Sequence, residues 1–408
     1  MPRRSSLVPR AWLVPSLLAG LGVIGWACQD TTPGEGSGDD GSGTSDVLRR
    51  DVLASIAHNV MVPETAAFAE SASSLQAAAR AWADAPDEET RAELQSAWRD
   101  TSTQWQRLEV LQIGPAAPSL LGIGGEDLRD AIYSWPTADT CSVDRALVDE
   151  DYAASDFFAT ELVWAYGLDA LEHLAFSDGA AHTCPTQVQL DAPWDALSED
   201  ERTRRRGAYA VVIADGVAAQ ATALADRWST DSGDFATALA EPGEGDSPYT
   251  SEAEALDEVF RAMFYVDLQT KDGKLGIPMG VVAGCAEPPC VDLLEAPHSG
   301  DAVANIITNL EALQLVLDGG PEPETADGFD DLLEAVDQGE IADTLRSQIS
   351  QAIAVAQSYD QSLQSVVTGG GDPQPLYDAL KAVTDTLKGP FVMALMLTIP
   401  AEGAGDAD

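Results

Sequence analysis

The chain has 408 residues, long enough for two domains or one large one, and 45% of them are apolar, enough to bury a core. Its 22 Lys and Arg stand against 68 Asp and Glu, a formal charge of −46. That balance excludes a protein that grips nucleic acid or anionic lipid with its whole surface, because such binding needs a basic footprint. Cation binding stays open, as does a merely well-solvated exterior.

The first element is a targeting segment. Arg3, Arg4 and Arg10 precede an uncharged apolar run from Ala11 to Ala27, and Cys28 follows Gly25-Trp26-Ala27 directly. Seventeen residues are few for a spanning helix, so residues 1–27 read as a signal peptide. The arrangement resembles a bacterial lipoprotein signal, with Cys28 as the lipidated first residue. Trp26 stands where a small residue is usual, so ordinary cleavage near Ala27 or a retained anchor are the alternatives. Gln29 to Ser45 is Gly-, Ser-, Thr- and Asp-rich without hydrophobic periodicity, and reads as a flexible tether.

From Asp46 onward helical periods dominate, and the fold class is all-α. Phe68, Leu75 and Trp82 recur every seven residues with Ala72 and Ala79 between them, one apolar stripe of a core-facing helix. Pro86-Asp87-Glu88-Glu89 is a turn and an acidic helix start. The next helix places Leu94, Trp98, Trp105, Leu108 and Leu111 on one side and is expected to end near Gly114-Pro115. Gly122-Ile123-Gly124-Gly125 has neither a preceding strand nor a following Gly-Lys-Ser/Thr, so it is no phosphate loop. A helix is expected from about Ser155 through Leu174, with Gly167 inside it, where a glycine's cost of about 1 kcal/mol relative to Ala suggests a tight backbone approach or a break. Its Asp169, Glu172 and His173, at i, i+3 and i+4, share neighbouring parts of one face. Two carboxylates and an imidazole suit a borderline divalent metal or ferric iron; the alternative is an exposed acidic face.

Asp231 to Ser247 turns Pro-, Gly- and acid-rich and divides the body into a domain over 46–244 and another over 245–400. In the second, Leu256, Val259, Phe260, Met263 and Phe264 form a further stripe, and residues 401–408 are a polar tail. Both domains read as helical bundles. The four cysteines after Cys28 favour two disulfides in an exported chain: Cys285–Cys290 as a local staple and Cys141–Cys184 by elimination.

Several stretches together resemble the imelysin-like family, bacterial envelope proteins once described as insulin-cleaving metallopeptidases. Gly167 to Glu172 resembles its Gly-x-His-x-x-Glu motif, with Asp169 at the His position. Trp98-Arg99 through Trp105, Glu109 and Gly114-Pro115 resembles its helix ending in a Gly-Pro turn, and Ser134-Trp135-Pro136 its Ser-Trp-Pro loop. Lys274-Leu275-Gly276-Ile277-Pro278, followed by Glu295-Ala296-Pro297-His298-Ser299, is similar to its Lys-Leu-Gly-x-Pro and Glu-Ser-x-x-Ser region. The resemblance implies two helical domains with a site between them, and an envelope role linked in relatives to iron or haem uptake. It brings in Glu109 and Glu295 as further candidate ligands, with Gly167, Trp135 and Ser299 in support. For Glu109, Trp135, Glu295 and Ser299 the plainer role is hydrogen bonding between domains. Asp169 in the His position makes the site harder, better matched to iron(III), calcium or magnesium than to zinc, unless His173 restores a nitrogen.

Three functions follow. The first is a lipid-anchored envelope protein that captures iron, another metal or a haem-like ligand and passes it to an uptake system. It would touch the membrane only through its anchor, at the outer membrane facing periplasm or surface, and bind no nucleic acid. Haem would need an axial ligand, for which His58, His173, His182 and His298 are the histidines available. The second is a metallopeptidase-like hydrolase with Glu172 as base, although no His-Glu-x-x-His motif is present. The third is a surface adaptor without metal.

Overall fold

A computed structural model describes residues 40–400 of the chain. The signal peptide, Cys28, most of the tether and the tail at 401–408 lie outside the described residues. Helices and irregular loops account for all the described residues, without a strand.

The first helix, Asp40–Ser55, begins inside the stretch expected to be tether. It runs through a π-helical turn, Ile56–Met61, into Val62–Asp84. Phe68, Ala72, Leu75, Ala79 and Trp82 are all buried, as the stripe requires. Asp87 caps the next helix, Glu88–Glu109, by accepting a 2.9 Å hydrogen bond from the Thr90 backbone N–H. Leu94, Trp98, Trp105 and Leu108 face the core from it. That helix stops at Glu109, and Gly114–Ala116 is a separate 3-10 turn.

The longest helix, Glu199–Trp228, starts at an Ser198 cap and packs along Val62–Asp84 and Leu168–Phe176. Gly207 lets two of these backbones approach: a Cβ there would lie 3.0 Å from the Ala83 Cα. Any larger residue would push the helices apart.

After the acidic loop near residue 245 the chain forms Glu252–Met263, a π-helical stretch Val266–Gly276, then Ala302–Leu317, Gly339–Gln357 and Gln374–Thr386. Leu256, Val259, Phe260, Met263 and Phe264 are buried as expected. Glu88–Glu109 packs against Ala302–Leu317, so helices from either side of residue 245 meet. From Gly41 on, the described residues form one compact unit. Both disulfides are present, Cys141–Cys184 with a Cα–Cα separation of 4.5 Å and Cys285–Cys290 with 5.8 Å.

Candidate functional site

The helix expected from Ser155 is broken. A short helix ends at Thr160, Val163–Ala165 is a 3-10 turn, and a new helix, Leu168–Phe176, begins after Gly167. Gly167 adopts φ +92°, a conformation open to glycine and strained for any other residue. A Cβ there would sit 2.9 Å from the Ile132 carbonyl oxygen, so this glycine also admits the neighbouring chain. The Trp98 indole N–H fixes the helix start from outside, donating to the Leu168 carbonyl at 2.8 Å. Asp169 therefore sits in a first helical turn, where the dipole favours a carboxylate.

Asp169 Oδ2 accepts hydrogen bonds from the Ser134 backbone N–H at 2.7 Å and the Ser134 hydroxyl at 2.9 Å. The residue keeps some exposure, yet burial of the carboxyl dominates and raises its pKa to about 7. The two Ser134 bonds and Arg129 oppose the rise, and Glu109 adds to it. One turn on, Glu172 is 3% exposed. Its Oε1 accepts from the backbone N–H groups of His298 at 3.0 Å and Ser299 at 2.6 Å. Burial lifts its pKa to about 7 as well, against the Ser299 bonds, with the Asp169 charge contributing. These bonds engage one oxygen of each acid.

His173 follows a different course. Its Nε2 lies 2.9 Å from Asp144 Oδ1 and its Nδ1 lies 3.1 Å from His298 Nε2. Both ring nitrogens are thereby engaged, so His173 does not offer the nitrogen ligand expected of it. Asp144 is itself fixed by the Thr183 backbone N–H at 2.6 Å and the Thr183 hydroxyl at 2.8 Å. Thr183 adjoins Cys184, whose disulfide to Cys141 holds this loop beside the Thr140–Asp149 helix.

Glu109 and Glu295 occupy a second, deeper cluster. Glu109 accepts from the Trp105 indole and, at 2.9 Å, from Gln112 Nε2, and Arg129 Nε is 3.4 Å away. Glu295 Oε1 accepts from the Tyr133 hydroxyl at 2.6 Å and from Gln106 Nε2 and Lys274 Nζ, each at 3.0 Å. Lys274, fully buried, also donates to Gln106 Oε1 at 2.6 Å and Asn309 Oδ1 at 2.7 Å. Burial pulls the Lys274 pKa down, against the pull of Glu295 and Glu109. The faces of Trp135 and Tyr265 lie 6.0 and 5.5 Å from Nζ. Both glutamates are thus satisfied largely by protein donors, although Glu295 Oε2 is buried without a hydrogen bond. Beside this cluster a cleft of about 250 Å³ is lined by Glu109, Arg129, Pro136 and Tyr265 among others.

The five expected ligands accordingly divide. Asp169 and Glu172 share the Leu168–Phe176 helix with an oxygen to spare on each, His173 is committed to Asp144 and His298, and Glu109 and Glu295 lock into the interior. Trp135 packs on Lys274, and Ser299 supplies a backbone donor to Glu172. Among the described residues, no three His, Cys, Asp or Glu side chains converge as a metal cage. Asp144, Tyr133, Gln106, Arg129 and Asn309 escaped the sequence reading, because no local spacing marks a partner from a distant element. Lys274 lay in a stretch already singled out, with no role assigned, and His298 was offered only as an available axial ligand for haem.

The sequence model of the imelysin family (peptidase M75) matches residues 61–387. The chain belongs to the imelysin family. Among solved structures it is similar to a protein of Parabacteroides distasonis ATCC 8503 provisionally described as an iron-regulated protein A precursor. The TM-score is 0.67 at 15% identity, over 86% of this chain and 95% of that one. An imelysin-like protein from Psychrobacter arcticum 273-4 gives a TM-score of 0.65 at 16% identity, over 86% of this chain and 96% of that one. Identities this low carry the fold alone. Among curated proteins, none matches the sequence significantly.

Proposed function

We propose that this imelysin is an envelope lipoprotein, anchored through Cys28, that captures a metal as cargo, iron first, at Asp169 and Glu172. The observation that carries this reading is the pair itself: two acids one helical turn apart, sunk in protein, each with one oxygen outside the protein's own hydrogen bonds. A closed resident site takes about four ligands from the protein. This pair is an open half-site, which suits a metal that arrives with ligands of its own, as a chelate or as haem iron. Carboxylate oxygens favour hard cations. The iron-regulated description belongs to the Parabacteroides protein, and it supports iron as the first cargo to try.

The test is calorimetric titration of chelator-treated protein with iron(III) citrate, iron(II), calcium and haemin, alongside the double variant Asp169→Asn, Glu172→Gln. One of these ligands is expected to bind with release of protons, because a cation displaces protons from acids that hold them near neutrality. The double variant is expected to lose at least about tenfold in affinity. Undiminished binding in the double variant would remove the site from these two residues.

A further inference from the structure

Positive charge is scarce in this chain, and three arginines hold it where the protein sets no acid directly against them. Arg91, Arg202 and Arg206 line a cleft of about 260 Å³ at the starts of the Glu88–Glu109 and Glu199–Trp228 helices. Arg206 is 6% exposed. Its Nε donates to the Leu174 carbonyl at 3.0 Å and its Nη2 to the Ser177 carbonyl at 2.6 Å. Arg91 Nη2 donates to that same Ser177 carbonyl at 2.5 Å, and its Nε to the Ala175 carbonyl at 2.7 Å. These carbonyls close the Leu168–Phe176 helix, whose last turn would otherwise lack donors. That accounts for one edge of each guanidinium. It leaves two like charges meeting on one oxygen, and among the described residues none of the three arginines forms an ion pair. Burial and the Arg91 charge lower the Arg206 pKa to about 10, with Asp144 and Asp178 opposing.

The remaining edges are unused. No hydrogen bond among the described residues engages Nη1 of Arg91 or of Arg206. Arg202 Nη1 donates to the Leu197 carbonyl at 2.7 Å, while its Nε is buried without a partner. Gly179, at φ +65°, keeps the Arg206 edge open, since a Cβ there would lie 1.9 Å from Nη1. Asp87, Glu88, Asp178 and Glu199 share the lining. Of these, Asp87 accepts from Thr90 and Asp178 from the Ala180 backbone N–H, and Glu88 and Glu199 are exposed.

We propose that Arg91, Arg202 and Arg206 form a binding site for a phosphate group, free or as a phosphate monoester. The site goes beyond the capture reading and needs neither Asp169 nor Glu172. A guanidinium edge matches the oxygens of phosphate, and the bonds it donates are strengthened by charge on both partners. A tetrahedral anion can take edges from three arginines, whereas a planar carboxylate is filled by one or two. A bound anion would also offset the repulsion between Arg91 and Arg206 and give the buried Arg202 Nε an acceptor. The carbonyls of the Leu168–Phe176 helix hold the inner edges of Arg91 and Arg206 in place, so these two forks are fixed before the anion arrives.

The probes are inorganic phosphate and glycerol phosphate, titrated by calorimetry into intact, metal-free protein in a chloride buffer of matched ionic strength. One phosphate per chain is expected to bind saturably, with a Kd of about 1 mM or tighter. Arg202→Gln should weaken it at least about tenfold, through the loss of one charged donor. Gly179→Ala, which crowds the Arg206 edge without removing a charge, should weaken it as well. Arg204→Gln, an exposed arginine of the same helix paired with Glu201, serves as the control and should bind phosphate as the unaltered protein does. Far-ultraviolet circular dichroism checks the fold of each variant. Glycerol phosphate binding as tightly as phosphate would identify a monoester site, and phosphate binding alone would identify a site for the free anion. Heats no larger than those of added chloride, or phosphate affinity unaltered in both Arg202→Gln and Gly179→Ala, would overturn the inference. Asp169→Asn, Glu172→Gln should keep its phosphate affinity, so failure of the capture reading leaves this site standing. Phosphate binding lost in that double variant would place the anion on captured metal and overturn the arginine site.

Discussion

At the scale of single residues, the site is defined by what its charges lack. The carboxyls of Asp169 and Glu172 are raised by burial to about 7 from ordinary values of 3.8 and 4.5, and Arg129 opposes the rise at Asp169. The folded chain therefore binds more protons than the unfolded chain between about pH 4 and 7. The stability this pair contributes is full below that range and is lost as pH rises to about 7. His298, lowered to about 4 by burial and by His173, acts in the opposite sense between about 4 and 6.5. The carboxyls consequently dominate from about pH 6.5 to 7.5, where metal-free protein should lose stability as pH rises, by about 1 kcal/mol or more in all. Thermal melts across that window should show a falling midpoint, flattened in Asp169→Asn, Glu172→Gln. A midpoint that rises through the window, or a slope shared by the double variant, would refute the assignment. The residue types of this site were legible in the sequence, and their commitments were not. That His173 has both nitrogens engaged depends on Asp144 and on His298, 29 residues before it and 125 after.

At the scale of elements, periodic stripes told the truth wherever a helix was long. Phe68, Leu75 and Trp82, and likewise Leu256, Val259 and Phe260, point inward as their spacing requires. The segment from Ser155 to Gly167 is not the expected helix: a short helix ends at Thr160 and Val163–Ala165 is a 3-10 turn. Gly167 itself pointed to a close backbone approach or a break, and it is the position that starts a new helix. Gly167→Ala should accordingly cost about 1–3 kcal/mol through strain at φ +92° and the approach to the Ile132 carbonyl. Because that contact sits beside Ser134, the partner of Asp169, metal affinity should fall with it. Chemical denaturation and titration of the variant check both, and an alanine without effect on either would mean that the segment tolerates an ordinary helix start.

Across the whole molecule, the deep cluster joins parts of the chain that the sequence divided at residue 245. Gln106 belongs to Glu88–Glu109, Lys274 to Val266–Gly276 and Asn309 to Ala302–Leu317, and the buried ammonium ties its own segment to those two helices through Gln106 and Asn309 and to the loop of Glu295. Lys274→Met would leave Glu295 charged, buried and without its ion-pair partner, and should cost about 3–5 kcal/mol. Because helices from both halves meet there, the loss should lower one common unfolding transition, seen by calorimetry, and not split it in two. Two separate transitions would show halves that fold independently.

The ions drawn into the interior bear on how the molecule looks from outside. Lys271 and Lys274 are wholly interior, but the carboxylates of Glu109, Asp144, Glu172, Glu258, Asp267, Asp272, Glu295 and Asp318 are buried too. The solvent therefore meets a shell slightly less anionic than the formal charge of −46 states, and still strongly negative. Such a shell gathers small cations from dilute solution within a Debye length, about 8 Å at physiological salt. Arrival of a positively charged metal complex should quicken as ionic strength falls, and negatively charged chelates should be slowed by the same field.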